Sequence, residues 1–282
     1  MPGTLFVVAT PIGNLEDVTV RALRVLRDVS LIAAEDTRRT SHLLARHAIT
    51  TPTTSLHEHN EDRKSASLVA RLQQGDDVAL VSDAGTPTVS DPGARLIRDA
   101  IEAGVRVESI PGPSAVLAAL AASGLPAGTF SFLGFPPTRS KDRKIWFAKL
   151  ANVAGTAVFF EAPHRIRRTL EEILRTVGDC QVAVARELTK KHEELVRGPI
   201  TAALRAFEAP IGEFTVVINI GQITEIGRPE RPESHDLASE FSEMTGSGQV
   251  SRRRAVAQLA RRHGLAPNLV YEALEKIKKS VI

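Results

Sequence analysis

The most informative stretch for the fold is VALVSDAGTPTVSDPG, residues 78–93. Its first four residues are apolar, which is the pattern of a short strand buried on both faces. Glycines and prolines then interrupt regular structure, and residues 94–103 resume a helical period. In open α/β sheets, ligands bind beyond the carboxyl ends of the strands, so the loop from Ser82 to Gly93 is predicted to be a binding site. The alternative is a connector that holds no ligand.

Strands and helices alternate along the chain on both sides of this stretch. The other predicted strands are 4–9, 31–34, 105–110, 156–160, 181–185 and 213–220, and a further apolar run begins at Phe130. The predicted helices are 17–28, 40–47, 63–74, 94–103, 115–123, 144–151, 166–177 and 201–207. Helix 115–123 consists almost entirely of Ala, Leu and Val, which predicts burial on all sides. The alternation indicates two α/β units, each with polar clusters at its strand ends.

The length of 282 residues exceeds one average domain. We predict an N-terminal α/β domain (1–113), a C-terminal α/β domain (114–222), a linker with two prolines (223–236) and a basic helical extension (237–282). The extension resembles a helix-turn-helix unit that contacts phosphates, although a dimerising or solvated appendage explains it equally well. No run approaches the roughly 18 apolar residues of a membrane span. The N-terminus lacks a signal-peptide pattern, so we expect a cytoplasmic protein.

Missing motifs exclude or disfavour several kinds of chemistry. Cys180 is the only cysteine, which excludes an internal disulfide and a cysteine-cluster metal site. Neither a dinucleotide fingerprint nor a P-loop follows the first strand, and no G-x-S-x-G elbow is present. His57 and His59 lack the spacing of a zinc protease, so no metal is predicted. What remains are loops of small residues, which suit a bulky ligand with an amino-acid end, such as S-adenosylmethionine.

Seven motifs together carry a resemblance to a known family. They are VVATPIGNLEDVT (7–19), AEDTR (34–38), HEHNE (57–61), VSDAGTPTVSDPG (81–93), PGPSA (111–115), EAPHR (161–165) and ARELTKKHEE (185–194). Over residues 4–221 the chain resembles the small-subunit ribosomal RNA methyltransferase I family of the tetrapyrrole methylase superfamily. Relatives that act on tetrapyrroles or diphthamide precursors share the fold but not HEHNE, EAPHR or RELTKKHEE.

This resemblance implies an α/β fold with two domains of the tetrapyrrole methylase type and the active site between them. A small C-terminal helical extension follows in many members. Such an enzyme is usually a homodimer and binds S-adenosylmethionine in the cleft. It would methylate the ribose 2′-oxygen of a cytidine in the decoding region of 16S rRNA, within the small ribosomal subunit.

The resemblance also implies site residues, by their positions in the matching motifs. The donor would be held by Asp83, Ala84, Gly85, Thr86, Val89, Ser114 and Ala115 from the first domain and by Phe160, Glu161, Arg186 and Glu213 from the second. The substrate side would contain Pro11, Gly13, Asn14, Arg38 and Arg165, because the first loop faces the RNA and guanidinium groups suit phosphates.

A ribose hydroxyl is a weak nucleophile that benefits from a general base, so we expect a catalytic group near the cleft. The candidates are Glu187, Lys190 and His192, with Glu35, His57 and His164 also considered. Glu187 directly follows a strand end and is favoured slightly. The alternative for each charged residue is an ion pair that holds a loop.

Two rival functions stay open at this point. One is a small-molecule methylase of the same fold that acts on a tetrapyrrole. The other is a non-catalytic protein that binds the ribosome through its C-terminal helices and has no affinity for S-adenosylmethionine. Net charge does not separate them, because a charge of +3 permits a polyanionic partner without requiring one.

Overall fold

A computed structural model describes residues 1–207, 210–221, 240–245, 255–256, 258–260, 270 and 274. The chain divides into two compact units, Met1–Gln222 and Ile223–Ile282. The first unit contains two five-stranded sheets. The boundaries predicted for the two α/β domains stay a prediction, although each sheet has hydrophobic clusters of its own.

The first sheet is entirely parallel and has the strand order β3-β2-β4-β1-β5. Its strands are β1 (Thr4–Val8), β2 (Leu31–Ala34), β3 (Thr53–Ser55), β4 (Val78–Val81) and β5 (Arg106–Ile110). Its helices are α1 (Val20–Asp28), α2 (Thr37–Arg46), α3 (Glu61–Gln73) and α4 (Ala94–Glu102). Apolar clusters cover both faces, as the continuous apolar strands predict. Because β1 and β4 are central neighbours, the loops that follow them meet at one edge of the sheet.

The second sheet is mixed and has the strand order β6-β7-β10-β8-β9. Its strands are β6 (Phe130–Phe132), β7 (Thr156–Glu161), β8 (Gln181–Arg186), β9 (Glu194–Pro199) and β10 (Phe214–Asn219). Only the β6–β7 pair is parallel. Helices α6 (Ser140–Ala151), α7 (Ile166–Val177) and α8 (Ile200–Ala206) contribute to the apolar cluster on one face, and α5 (Ala115–Ser123) contributes to the cluster on the other.

Helix α5 corrects one expectation from the sequence. Val116, Ala119 and Leu120 are buried against the second sheet, but the side of the helix that carries Leu117 is open, and Leu117 is 57% exposed. The prediction of burial on all sides was therefore wrong, because the helix packs on a single sheet. The sequence did not show this, since an Ala-rich helix has no polar residue to mark its outer face.

Strands β3 and β9 were not predicted. The sequence of β3 has only three residues, and β9 carries Glu194 and Arg197 among its apolar residues, so neither shows a clean alternation. Both are edge strands that are defined by pairing with a neighbour, β2 for β3 and β8 for β9. An edge strand needs little apolar surface of its own, which is why the pattern missed them.

The second unit is described only in part. Residues 240–245 are helical, and a small apolar cluster there includes Phe241, Met244, Leu259 and Val270. The predicted linker 223–236 and most of the predicted helix-turn-helix lie outside the described residues. Within the part of the chain that is described, no helix is both long enough and apolar enough to cross a membrane.

Candidate active site

A cavity of about 340 Å³ lies between the strand-end loops of the two sheets. It lies beyond the carboxyl ends of the first sheet, where α/β folds place their ligands. Its volume is within the range of small-molecule sites. The chain up to α5 contributes Ile12, Ala84, Gly85, Thr86, Val89, Ser114, Ala115 and Val116, and the chain around the second sheet contributes Phe135, Phe160, Glu161, Ala162, Pro163, Leu188, Glu213, Phe214 and Thr215.

Backbone and small side chains form the wall on the side of the first sheet. Thr10 and Gly85 pair through two backbone hydrogen bonds of 2.8 and 3.0 Å, which joins the loops after β1 and β4. Gly85 has a φ of +78°, a conformation that favours glycine, and a Cβ there would lie 3.5 Å from Ile12 Cγ2. The N-terminus of α5 borders the same cavity, with Ser114 as its N-cap. This wall therefore offers peptide groups and a helix N-terminus, which favours a carboxylate.

Aromatic rings form part of the opposite wall. The ring centroid of Phe160 lies 5.0 Å from that of Phe132 and 5.3 Å from that of Phe135. Phe214 lies at the buried end of this wall, whereas Phe135 is 52% exposed. Such a surface suits the flat, apolar part of a ligand.

Glu161 is buried at the cavity and fully engaged by residues close to it. Its Oε1 accepts a hydrogen bond from the Ala162 backbone N–H (2.8 Å) and forms an ion pair with Arg165 Nε (3.0 Å). Its Oε2 accepts hydrogen bonds from Thr169 Oγ1 (2.6 Å) and Arg165 Nη2 (3.3 Å). Arg143 Nη2 donates to the same threonine oxygen at 2.8 Å. These partners hold the buried carboxylate in a single orientation.

Glu187, Lys190 and Glu213 form a second polar group, which we call the ion-paired cluster. Lys190 Nζ lies 2.9 Å from Glu187 Oε1 and 2.9 Å from Glu213 Oε2. The backbone N–H of Glu213 also donates to Glu187 Oε1 at 2.9 Å. This backbone hydrogen bond is the main cause that lowers the pKa of Glu187, and Lys190 adds to it. Burial disfavours the charged form of Lys190, but its two carboxylate partners outweigh burial and raise its pKa.

The first loop packs against this cluster. A Cβ on Gly13 would lie 2.5 Å from Lys190 Cγ and 2.8 Å from the Leu188 carbonyl oxygen, so only glycine permits the contact. Asn14 accepts a hydrogen bond from the Glu16 N–H and begins a short 3₁₀ turn, Leu15–Asp17. An open groove beside it is lined by Gly13, Asn14, Leu15, Glu16, Arg46, Thr189, Lys190 and Lys191.

Glu35, Asp83 and Asp91 form a third group, the carboxylate cluster, near the ends of β2 and β4. The Asp83 N–H donates to Glu35 Oε2 at 3.2 Å, and Arg39 Nε lies 3.5 Å from Asp83 Oδ2. Burial is the main cause that raises the pKa of Glu35. Burial, with the negative charge of Glu35, raises the pKa of Asp91 to about 6.

The structure brings most of the predicted donor residues to one cavity. The predicted residues that line it are Ala84, Gly85, Thr86, Val89, Ser114, Ala115, Phe160, Glu161 and Glu213. Asp83 and Arg186 do not line it. Asp83 Oδ1 accepts the Asp36 N–H at 2.9 Å, and Arg186 pairs with Glu194 at 3.1 Å. Arg186 Nε is buried and has no partner within the described part of the chain.

The predicted substrate and catalytic residues are more scattered. Gly13 and Asn14 border the open groove. Pro11, two residues before Gly13, is buried and does not line that groove. Arg38 pairs with Asp36 and is 89% exposed. Arg165 is held by Glu161 and the Pro136 carbonyl oxygen. His192 is exposed on the turn after the ion-paired cluster.

Sequence reasoning missed several cavity residues. They are Ile12, Val116, Phe135, Ala162, Pro163, Leu188, Phe214 and Thr215. Almost all are apolar, and an apolar residue beside a strand end gives no signal that separates a ligand contact from core packing. Four of them lay within quoted motifs, which were the available pointers: Ile12 in 7–19, Ala162 and Pro163 in 161–165, and Leu188 in 185–194.

Comparison with known proteins agrees with this architecture. The family model described as Tetrapyrrole (Corrin/Porphyrin) Methylases matches residues 4–204. Solved structures with the same fold include uroporphyrin-III-C-methyltransferase from Thermus thermophilus, with a TM-score of 0.56 at 20% identity over 79% of this chain and 96% of that one. Diphthine synthase gives a TM-score of 0.58 at 17% identity, covering 76% of this chain and 89% of that one.

Sequence relatives narrow the assignment. Ribosomal RNA small subunit methyltransferase I of Thermotoga maritima is 46% identical over 219 residues, which cover 77% of this chain and 98% of that protein. The protein of the same name from Escherichia coli O157:H7 is 39% identical and covers 97% of this chain and 96% of its own length. The chain belongs to the tetrapyrrole methylase family and, within it, to the ribosomal RNA small subunit methyltransferases I.

Proposed function

We propose that this chain transfers the methyl group of S-adenosylmethionine to the ribose 2′-oxygen of a cytidine in the decoding region of 16S rRNA. The observation that carries the proposal is the cavity between the two sheets, which combines a wall of small residues with an aromatic wall. The names of the relatives supply the substrate class, small subunit ribosomal RNA. The enzyme acts on the small subunit in the cytoplasm and works as a homodimer.

The residues at the cavity fit the donor group by group. The N-terminus of α5, at Ser114 and Ala115, favours the carboxylate of its amino-acid end. The loop around Gly85 lets the backbone approach closely, because no side chain intervenes. Phe160 and Phe214 offer an apolar surface for the adenosyl part. When bound, the donor supplies an electrophilic methyl group on a sulfonium.

Methyl transfer then requires that the chain align the 2′-oxygen with this methyl group and accept the proton that the hydroxyl loses. Glu187 was predicted to be the proton acceptor. Its Oε1 already accepts hydrogen bonds from Lys190 Nζ and the Glu213 N–H, which reduces its basicity. These contacts favour the alternative, an ion pair that holds the loop after β8. Lys190 in the same cluster and the exposed His192 stay untested predictions.

The substitution Glu187→Gln separates the two roles. The carbonyl oxygen of a glutamine can still accept both hydrogen bonds, so we expect the transfer rate to fall by less than about threefold. A general base contributes at least about 10²-fold. A loss of that size with donor affinity intact, measured by single-turnover transfer and donor titration, would instead identify Glu187 as the base.

The proposal as a whole is tested by methyl transfer from labelled S-adenosylmethionine to purified 30S subunits and to free 16S rRNA. Nuclease digestion and mass spectrometry then map the product. We expect label on the ribose 2′-oxygen of a cytidine in 16S rRNA. Donor binding without label on either RNA would favour a small-molecule methylase of this fold. Absence of donor binding would favour a non-catalytic ribosome-binding protein.

A further inference from the structure

Phe135 is the aromatic side chain with the largest exposed fraction among the described phenylalanine and tryptophan residues. It is 52% exposed, although it lines the cavity and its ring lies 5.3 Å from that of Phe160. The next most exposed, Phe130, is 36% exposed and does not line the cavity. A large apolar ring left open at a cavity has a free face for a ligand.

Phe135 faces the loop after β4 across the opening of the cavity. Its neighbour Gly134 adopts a φ of +61°, and a Cβ there would lie 3.9 Å from Ser90 Oγ. Val89, next to that serine, also lines the cavity and is partly exposed. An incoming group that enters between the two loops therefore passes between apolar side chains from both sides of the cavity.

The segment that carries Phe135 is held at both ends. On one side, the Gly134 carbonyl oxygen accepts the Phe160 N–H at 2.9 Å. On the other, the Pro136 carbonyl oxygen accepts Arg165 Nη2, and the Pro137 carbonyl oxygen accepts Arg143 Nη1 at 3.3 Å. Both arginines are in turn fixed by the buried network around Glu161 and Thr169. The exposed ring is thus on a rigid support, which lowers the entropic cost of stacking.

We propose that Phe135 stacks on the base of the nucleotide whose ribose is methylated. This inference rests on the proposed function and names the part of the RNA that the site recognises. Single-stranded RNA is commonly read by bases that unstack and pack on aromatic side chains.

The location of the ring favours the target base over the adenine of the donor. The donor must bind deeper than the RNA, because its methyl group has to meet a ribose that enters from solvent. Phe160 and Phe214 supply apolar surface at the buried part of the cavity, whereas Phe135 lies at its opening. A ring at the opening is in position for the group that arrives last.

The experiment compares Phe135→Leu, which keeps apolar bulk but removes the ring, with Phe135→Tyr, which keeps the ring. Phe130→Leu is the matched control, since Phe130 is an exposed aromatic on the same chain segment outside the cavity. We measure the KM for the 30S substrate, kcat, the Kd for S-adenosylhomocysteine and the thermal unfolding midpoint. Phe135→Trp places a fluorescent reporter at the cavity. Wild type gives the background signal, because its sole tryptophan, Trp146, is buried.

We expect Phe135→Leu to raise the KM for 30S subunits about tenfold, the usual scale of a lost base–aromatic stack. The donor Kd and the unfolding midpoint should stay at wild-type values, and Phe135→Tyr and Phe130→Leu should behave like wild type. Tryptophan fluorescence in Phe135→Trp should fall when substrate RNA binds.

Two results would overturn the inference. If Phe135→Leu weakens donor binding and leaves the RNA KM unchanged, the ring stacks on the donor. If neither value changes while wild type methylates 30S subunits, the ring has no role in recognition. Failure of the proposed function would be distinguishable, because wild type itself would then transfer no methyl group to RNA.

Discussion

The carboxylate cluster (Glu35, Asp83, Asp91) and the ion-paired cluster (Glu187, Lys190, Glu213) look alike in the sequence but differ in the direction of their pKa shifts. The pKa values of Glu35 and Asp91 are raised, whereas that of Glu187 is lowered. Each includes a glutamate that directly follows a buried strand, Glu35 after β2 and Glu187 after β8, and each has a basic residue nearby. In the ion-paired cluster a lysine lies 2.9 Å from each of two carboxylates. In the carboxylate cluster Arg39 lies 3.5 Å from Asp83, and burial raises the pKa values of the other two acids.

Polar residues at strand ends can therefore have different electrostatic roles. In the ion-paired cluster the Glu213 N–H and Lys190 lower the pKa of Glu187 and make it a weak base, so its main effect is to hold a loop. Carboxylates that are partly buried, with burial outweighing any nearby cation, retain protons to higher pH and oppose each other's charge. Substitutions in the two clusters should consequently differ in the size and in the sign of their effects on stability.

The largest effect is expected from Gly212→Ala, which displaces Glu187 from the ion-paired cluster. Gly212 has a φ of +96°, and a Cβ there would lie 2.5 Å from Glu187 Cγ. Backbone strain and the lost hydrogen bond to the Glu213 N–H together should cost about 2–3 kcal/mol in the free energy of unfolding. Gly221→Ala is the control, since its φ is +74° but no atom of the described residues lies within 4 Å of a Cβ there, and it should cost about 1 kcal/mol. Equal losses in urea unfolding would show that Glu187 makes no stabilising contact.

A smaller effect is expected from Lys190→Met, which removes the cation and keeps the apolar stem. The pair is partly exposed, so the free energy of unfolding should fall by only about 1 kcal/mol. The pKa of Glu187 should rise as well. Lys191→Met changes a neighbouring exposed lysine and should leave stability within about 0.5 kcal/mol of wild type. If the two variants lose stability equally, Lys190 does not organise this cluster.

The smallest effect concerns the carboxylate cluster and has the opposite sign. The pKa of Asp91 is raised from 3.8 to about 6, so between these pH values the unfolded chain releases a proton that the folded chain retains. Stability is therefore lost as the pH rises through this window. Asp91→Asn removes that loss and should stabilise the protein by up to about 1 kcal/mol at pH 8, after allowance for solvent screening. Near pH 4, at about the pKa of an unfolded aspartate, the gain should vanish. A gain that is independent of pH would contradict the assigned cause.

Much of the fold was predictable from the sequence for clear physical reasons. Buried strands such as β2 and β4 are continuous apolar runs, and helices α5 and α7 were placed at the residues where they occur. The loop that forms part of the cavity wall on the side of the first sheet was also predictable, because glycines and prolines follow the buried strand β4. Cys180 is half-buried, and burial raises the pKa of its thiol to about 11, which makes it a poor nucleophile.

The rest could not be predicted, because it depends on contacts between distant parts of the chain. Lys190 pairs with Glu213, 23 positions away, and this pairing contributes to the environment that decides the basicity of Glu187. Arg165 was predicted to bind substrate but is engaged by Glu161 and by a carbonyl oxygen near Phe135. A charged residue in a motif does not show whether it points to a ligand or to a neighbouring residue of the fold.

Calorimetric titration with S-adenosylmethionine would establish whether the cavity between the two sheets holds the methyl donor. It compares wild type with Ala115→Leu, which fills the cavity, and with Ala121→Leu, the same change on an exposed position of α5. We predict that Ala115→Leu weakens donor binding about tenfold or more through overpacking, while Ala121→Leu binds like wild type. Donor binding by Ala115→Leu at wild-type affinity would show that the donor does not occupy this cavity.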